Sequence, residues 1–505
     1  MKKYWAVLLF TFIAFSASLS QHTTASQAAI SQFNGNSMLT ANTPFNAISI
    51  VNPVGNSDYF GDVNGAVSIL SYGAKCDGAT DDTTAIQNAI KAAFPNNGHS
   101  TRPLLIPATQ NGCVVSQLNL TNINNEINII GQGSIAGFQS IIWCQENTSN
   151  TKVCIDFSGS QYITVRGVNF YGGTSISNAP RVTVLMAKTT VGNSQTIHWD
   201  DVTVEGYGDY QVYNFGAEVW SCYYCYFYQH GSGGVDLIKI TSANGIGITS
   251  PFSTLPKSTS MTKVSVWGIF SAGGTSDAVD LEPGGGFSLG PVTLGGFGNL
   301  NSASYFIHDS GVGEIHGLTL DDLRVEPTCT DCGLLSIGNT ISDLKADHNA
   351  QWAARSAPSV ALINLTGQVN RASIDLRPSD SNLTFPTMVV NCSRAVIGVY
   401  IRDLIKAGGG SMNNNCPGAM EAGGNGGFFI NGATRGDVGR GTMNVSAGYY
   451  SNGNKITDSS GNLFGGAGNS IVYRCVTAGA TLPVGSLTID PRACGSIADT
   501  GLRVK

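Results

Sequence analysis

The sequence predicts an all-β chain: a single-stranded right-handed parallel β-helix with a short N-terminal capping helix. Three observations lead there. With 63 glycines in 505 residues and only 12% charged residues, the composition suits a body of many short strands and turns. From Ile155 to about Val445, short apolar runs follow one another, among them QVYNF, KVSVWGIF, PVTLGGF, YFIHD, GLLSIG, ALINLTG, TMVVNC and VIGVYI, each closed by Gly, Asn, Ser or Asp. Two segments, GGVDLIKI and SDAVDLEP, repeat a Val-Asp-Leu core at 235 and 279, a spacing of 44 (279 − 235). That spacing predicts two solenoid turns of about 22 residues each.

Along the chain, residues 1–20, MKKYWAVLLFTFIAFSASLS, read as a secretory signal peptide: two lysines, a short apolar run, then small residues suited to cleavage. The run is too short for a membrane span, and no long apolar run follows, so no integral membrane segment is expected after its removal. A secreted, periplasmic or cell-surface location follows. Residues 21–60 are Ser-, Thr-, Asn- and Ala-rich and read as a linker or lead-in. Within 61–450, the parallel β-helix, a helix is expected over about 83–94, where Ile86 and Ile90 recur at helical spacing, small alanines lie beside them, and Asp81 or Asp82 is placed to cap it. The stretch from Gly408 to Gly427 reads as a long loop leaving the solenoid. Residues 451–505 change in composition and read as a strand-rich C-terminal cap.

The 12 cysteines all follow the signal peptide, and their even number in an exported chain favours disulfides. They fall as neighbours: Cys76 and Cys113, Cys144 and Cys154, Cys222 and Cys225, Cys329 and Cys332, Cys392 and Cys416, Cys475 and Cys494. Connectivity stays open. The two Cys-x-x-Cys motifs lie far apart without ligand-rich surroundings, which favours disulfides over zinc. A net charge of −6 gives no reason to expect nucleic acid, and the absence of heptads makes a monomer the expectation.

The segment from Val67 to Ala93, with Tyr72-Gly73-Ala74, Asp77-Gly78, Thr80-Asp81-Asp82-Thr83 and Ala85-Ile86-Gln87-Asn88-Ala89-Ile90, resembles the N-terminal segment of the pectate lyase superfamily, in its rhamnogalacturonase and epimerase-like branch. The resemblance is close over about residues 67–135; Ser71 and Cys76 stand where that family usually has Asp and Gly. It implies a pectin-lyase-fold solenoid acting on polysaccharide. The strand TSDAVDL, Thr275 to Leu281, is similar to the polygalacturonase-type strand Asn-Thr-Asp-Gly-Ile/Phe-Asp. On that resemblance Asp277 matches the catalytic first Asp and Asp280 the second, although Ser276 and Ala278 replace Thr and Gly. No Asp-Asp-Cys, Gly-His-Gly or Arg-Ile-Lys motif follows at the expected spacing.

Chemistry should lie where polar groups cluster on one outward face of successive coils, and the candidates are Asp236, Asp277, Asp280, Glu282, His308 and Asp309. If the Val-Asp-Leu segments are equivalent, Asp236 and Asp280 stand two coils apart, about 9–10 Å at the backbone, which leaves room for a water between acid and base. Asp200-Asp201 and Asp321-Asp322 recur in one local pattern and read as turn formers. The aromatics Trp199, Trp220, Tyr223, Tyr224, Tyr226 and Trp267 can stack on sugars where they face outward and must fill the core where they do not. Asn119, Asn147, Asn364, Asn382, Asn391 and Asn444 sit in glycosylation sequons but are more plainly turn asparagines. Three functions fit. A glycoside hydrolase would need no cofactor. A polysaccharide lyase would need calcium on Asp236 and Asp280 and a base among Lys239, Arg324, Arg377 and Arg402. A non-catalytic glycan-binding or surface-structural solenoid would need neither.

Overall fold

The computed structural model describes residues 65–455 except 96–100, 135–138, 146–152, 232–233, 243–261, 274–276, 285–288, 302–304, 330, 349, 353–359, 379–388, 403–413, 423–427, 431–449 and 452–453. The signal peptide, the lead-in, Cys475 and Cys494, three of the sequons, and nearly all of the C-terminal cap lie outside these residues.

Helix α1, Thr83–Ala93, forms where the apolar spacing placed it and buries Ile86, Ala89, Ile90 and Ala93. It packs on the 3-10 turn Ile69–Tyr72 and the first strands of the solenoid. Its capping is divided between the two aspartates. Asp81 accepts from the Thr83 N–H at 2.9 Å, whereas Asp82, at the cap position, turns its carboxylate back onto the N–H groups of Lys75 and Cys76 at 2.7 and 2.8 Å. Asp82 therefore fixes the chain's entry into the solenoid instead of covering the helix end.

Beyond the helix, strands pair in parallel with the strand one coil earlier, forming an 11-stranded straight sheet and a 23-stranded sheet in which each coil turns a corner; in the latter, Met420–Ala422 with Phe428–Ile430 and Tyr450–Ser451 with Asn454–Lys455 pair antiparallel. The chain is a right-handed parallel β-helix. Val184, Val212, Ile238, Val279, Ile307, Leu335, Ile363 and Val390 stand in register along the straight sheet. All are buried, stacking one aliphatic on the next at about 4.8 Å. Each contributes about 1.5–3 kcal/mol by leaving water.

Corners are made by left-handed residues, and the Asp pairs occupy them as expected: Asp201 has φ 52° and Asp322 φ 51°. Five of the six neighbouring cysteine pairs are disulfides, the chemistry of an oxidising compartment. No helix among the described residues is long and apolar enough to cross a membrane.

Three expectations fail. Asp236 pairs with Asp277, 41 residues on (277 − 236), so one long coil, not two of about 22, separates the Val-Asp-Leu segments. The neighbouring coil from Asp280 to His308 spans 28 (308 − 280). Part of the Gly408–Gly427 stretch does not leave the solenoid: Asn414–Asn415 and Met420–Ala422 each add a parallel strand, and Cys416 is bonded to Cys392. Asn364 and Asn391 lie in strands, not turns. With Ser336 and Asn415 they form a ladder, each amide donating to the previous coil at 3.5, 2.8 and 3.1 Å.

Candidate functional site

The outward face of the straight sheet changes character along its length. One column reads Asn119, Asp156, Leu185, Tyr213, Lys239, Asp280, His308, Ser336, Asn364, Asn391, so apart from Asp156 its titratable charges fall on three consecutive coils. Two flanking columns reinforce the charge. Tyr210, Asp236 and Asp277 are in register on one side, and Thr241 and Glu282 on the other. The candidates Asp236, Asp277, Asp280, Glu282 and His308 thus come together on adjacent coils around Lys239.

Lys239 is the centre of the arrangement. Its ammonium lies 2.5 Å from Asp280 Oδ2, 3.5 Å from Glu282 Oε2 and 3.2 Å from Ser310 Oγ. Burial pulls its pKa down, but Asp280, Glu282 and Asp236 together outweigh burial and lift it. Asp280 is held from both sides: Oδ1 accepts from the Ser310 N–H at 3.2 Å, and Oδ2 accepts from the Ser310 hydroxyl at 2.7 Å as well as from Lys239. Side chains held this completely are positioned groups.

Asp236 differs from them. It is 5% exposed, and burial, reinforced by the neighbouring Asp280, pushes its pKa well above the ordinary carboxyl value against the pull of Lys239. It is therefore the carboxyl of the cluster most disposed to keep its proton. Asp277, one coil on in the same column, sits nearer solvent, its Oδ2 3.3 Å from His308 Nδ1. Burial raises the pKa of Asp277, with His308 pulling the other way; the half-exposed His308 is raised chiefly by its hydrogen bond to Asp277. The two shifts share a sign because desolvation dominates the acid and the carboxylate dominates the imidazole.

Two sequence expectations change. Asp236 and Asp280 are one coil apart and in side-chain contact, so no water-sized gap separates them. Asp309 ends the strand Tyr305–Asp309 beside the cluster: its oxygens accept from the N–H groups of Gly311, Gly338 and Asn339 and from the Asn339 amide. That stitching of one coil's turn to the next is a structural task. Sequence reasoning missed Ser310 and the tyrosines around the cluster. Tyr210 stands beside Asp236 and is pushed up to about 12 by burial; Tyr213 precedes Lys239; Tyr305, half-buried, offers its N–H to Asp277. Only the register, set by coil length, could have shown them.

Among the described residues the one close grouping of metal-ligand type is Cys76, Asp82 and Cys113, and its two cysteines are joined in a disulfide. Of the residues a calcium ion would need, Asp280 already spends both oxygens on Lys239 and Ser310.

No family model matches the chain, and no curated protein does. Solved structures do. It is similar to PfbA, a surface adhesin of Streptococcus pneumoniae, at 12% identity and TM-score 0.40 over 70% of this chain and 88% of that one. It is similar to the A-module of a mannuronan C-5 epimerase of Azotobacter vinelandii at 13% identity and TM-score 0.34, over 70% and 99%. The catalytic unit of an alpha-1,3-glucanase from Streptomyces thermodiastaticus matches at 14% identity and TM-score 0.34, over 70% and 68%.

Proposed function

We propose that this chain is an exported enzyme that cleaves a polysaccharide by carboxylate acid–base chemistry of the glycoside hydrolase type. One observation carries the reading: two carboxyl groups in register on adjacent coils are both raised by burial but differ in exposure and in partner. Asp236 is buried against Asp280, which together with burial raises its pKa well above the ordinary carboxyl value; Asp277, nearer solvent, is raised against the pull of its His308 partner. Neighbouring acids whose pKa values are raised to different extents can divide acid and base roles. In this reading Asp236 gives its proton to the glycosidic oxygen as the bond to the anomeric carbon breaks. Asp277, one coil step of about 4.8 Å from Asp236, adds to that carbon, and a water that gives its proton to the deprotonated Asp236 then displaces it, releasing the sugar. Asp280, fixed by Lys239 and Ser310, maintains the negative field that keeps Asp236 protonated, and His308 orients Asp277. The similar solved structures include polysaccharide-acting proteins, and the signal-like N-terminus and five disulfides support export.

The lyase alternative lacks support at its base. Lys239 is held protonated by its carboxylate neighbours, and Arg324, Arg377 and Arg402 lie on strands of the corner sheet. The deciding test is a screen of the purified chain against neutral and acidic polysaccharides, following reducing ends and ultraviolet absorbance together, with and without chelator. Hydrolysis predicts reducing ends without absorbance, unaffected by chelator, and a loss on the order of 10²–10⁴-fold in Asp236→Asn and in Asp277→Asn. Chelator-sensitive absorbance, or full activity in both variants, would overturn the assignment.

A further inference from the structure

A second surface, on the corner sheet and away from the acid cluster, is built differently. A groove of about 540 Å³ runs along the corner column, lined by Tyr224, Trp267, Ile269, Phe297, Asp322 and Arg324. These residues come from four successive coils, with Gln351 on a fifth, all tied by register: Cys225 pairs with Gly268, Gly268 with Gly296, Phe297 with Arg324, Arg324 with Gln351. With Asp201 on the coil before Tyr224, five coil steps of about 4.8 Å make the groove about 24 Å long.

Two local devices present rings to solvent. At the corner, where other coils use Asp201, Gly296 or Asp322, this coil places Tyr224 at φ 52°. A bulky side chain there costs about 1–2 kcal/mol, and the Cys222–Cys225 disulfide closes directly across it. Tyr224 is 63% exposed and lies 4.2 Å, ring centre to ring centre, from the exposed Tyr223. On the next coil the half-buried Trp267 lies flat over Gly295, where a Cβ would meet its ring at 2.4 Å. The glycine is thus the condition for the indole's position. Rings that serve only the core would be covered; Tyr223 and Tyr224 are exposed.

We propose that this groove binds a neutral polysaccharide chain, as an anchoring surface separate from the acid cluster; the inference rests on the polysaccharide reading above. Flat aromatic faces fit the apolar faces of pyranose rings, with polar groups at the rim for their hydroxyls. The repeat of one coil is close to the length of one extended sugar residue, so successive coils can meet successive residues. The rim selects the charge. Asp201 and Asp322 line the groove, and its cation, Arg324, is already engaged by Glu326, so a uronate polymer would be repelled where a neutral one is not.

The test is retention of the full chain, carrying Asp277→Asn so that cleavage cannot erode the signal, in gels cast with a soluble glucan, a mannan or a galactan, and with polygalacturonate as the acidic control. At least one neutral polymer should retard the protein, and Tyr224→Gly should weaken that binding at least tenfold. Glycine accepts the corner conformation without strain, so this variant should melt no lower than its parent, which separates loss of the ring from loss of the fold. Trp267→Ala should weaken the same binding as strongly. Undiminished retention in both variants, or retention by polygalacturonate alone, would overturn the inference. Because retention needs no catalysis, silence in the cleavage screen would leave this result standing, and the reverse also holds.

Discussion

Asp236 shows how one buried proton links chemistry to stability. Its folded pKa is raised above the ordinary 3.8, so it favours the fold fully below that value and loses that contribution as pH rises through the folded pKa. Asp236→Asn removes the dependence. Thermal melts from acid to mildly alkaline pH should show the variant gaining on the parent as pH rises, although its activity is lost. His308, also raised, follows the same sign: its pairing with Asp277 stabilises fully below 6.5 and fades as pH rises through its folded pKa. His308→Asn should therefore move the alkaline limb of the pH–rate profile; an unmoved limb would remove His308 from the mechanism. Lys239 makes the strongest structural demand. Lys239→Met leaves Asp280 and Glu282 buried without their cation and should cost about 3–5 kcal/mol in denaturant unfolding. In the sequence Lys239 is visible only as a cation, because its partners lie a coil away.

At the scale of elements, what was legible depended on whether the signal was local. Helix α1 could be read from Ile86 and Ile90, because helical spacing needs no knowledge of the rest of the chain. The Asp201 and Asp322 corners were legible for the same reason. The register was not. The Val-Asp-Leu segments look equivalent, but backbone pairing sets Ile238 against Val279 and so offsets the motif by three residues. Pairing in a parallel sheet follows coil length, and coil length is set by turns that carry no repeat. The asparagine ladder was missed likewise, since Asn364 and Asn391 suggest turns until their stacking is seen. Asn391→Ala breaks two ladder bonds and should cost about 0.5–1.5 kcal/mol for each, measured by unfolding, with no change in sheet content by circular dichroism.

For the whole molecule, stability is a sum over neighbouring coils because pairing runs only to the coil before and after. Ile363→Ala, deep in the aliphatic stack, should cost about 2–5 kcal/mol, yet leave the acid cluster's pH profile unchanged because that cluster lies on earlier coils. Measured together, the two readouts would show whether a lesion at one end stays there. The fold class was legible from composition and from the rhythm of short apolar runs, but the division of labour between two faces was not. The coil from Asp236 to Asp277 has a further consequence. It carries 41 residues where the next carries 28, yet its strands keep their pairing on both sides. Length added between ladder positions leaves the scaffold's alignment intact, so the segment joining these coils can change in length while the spine that holds the acids stays the same.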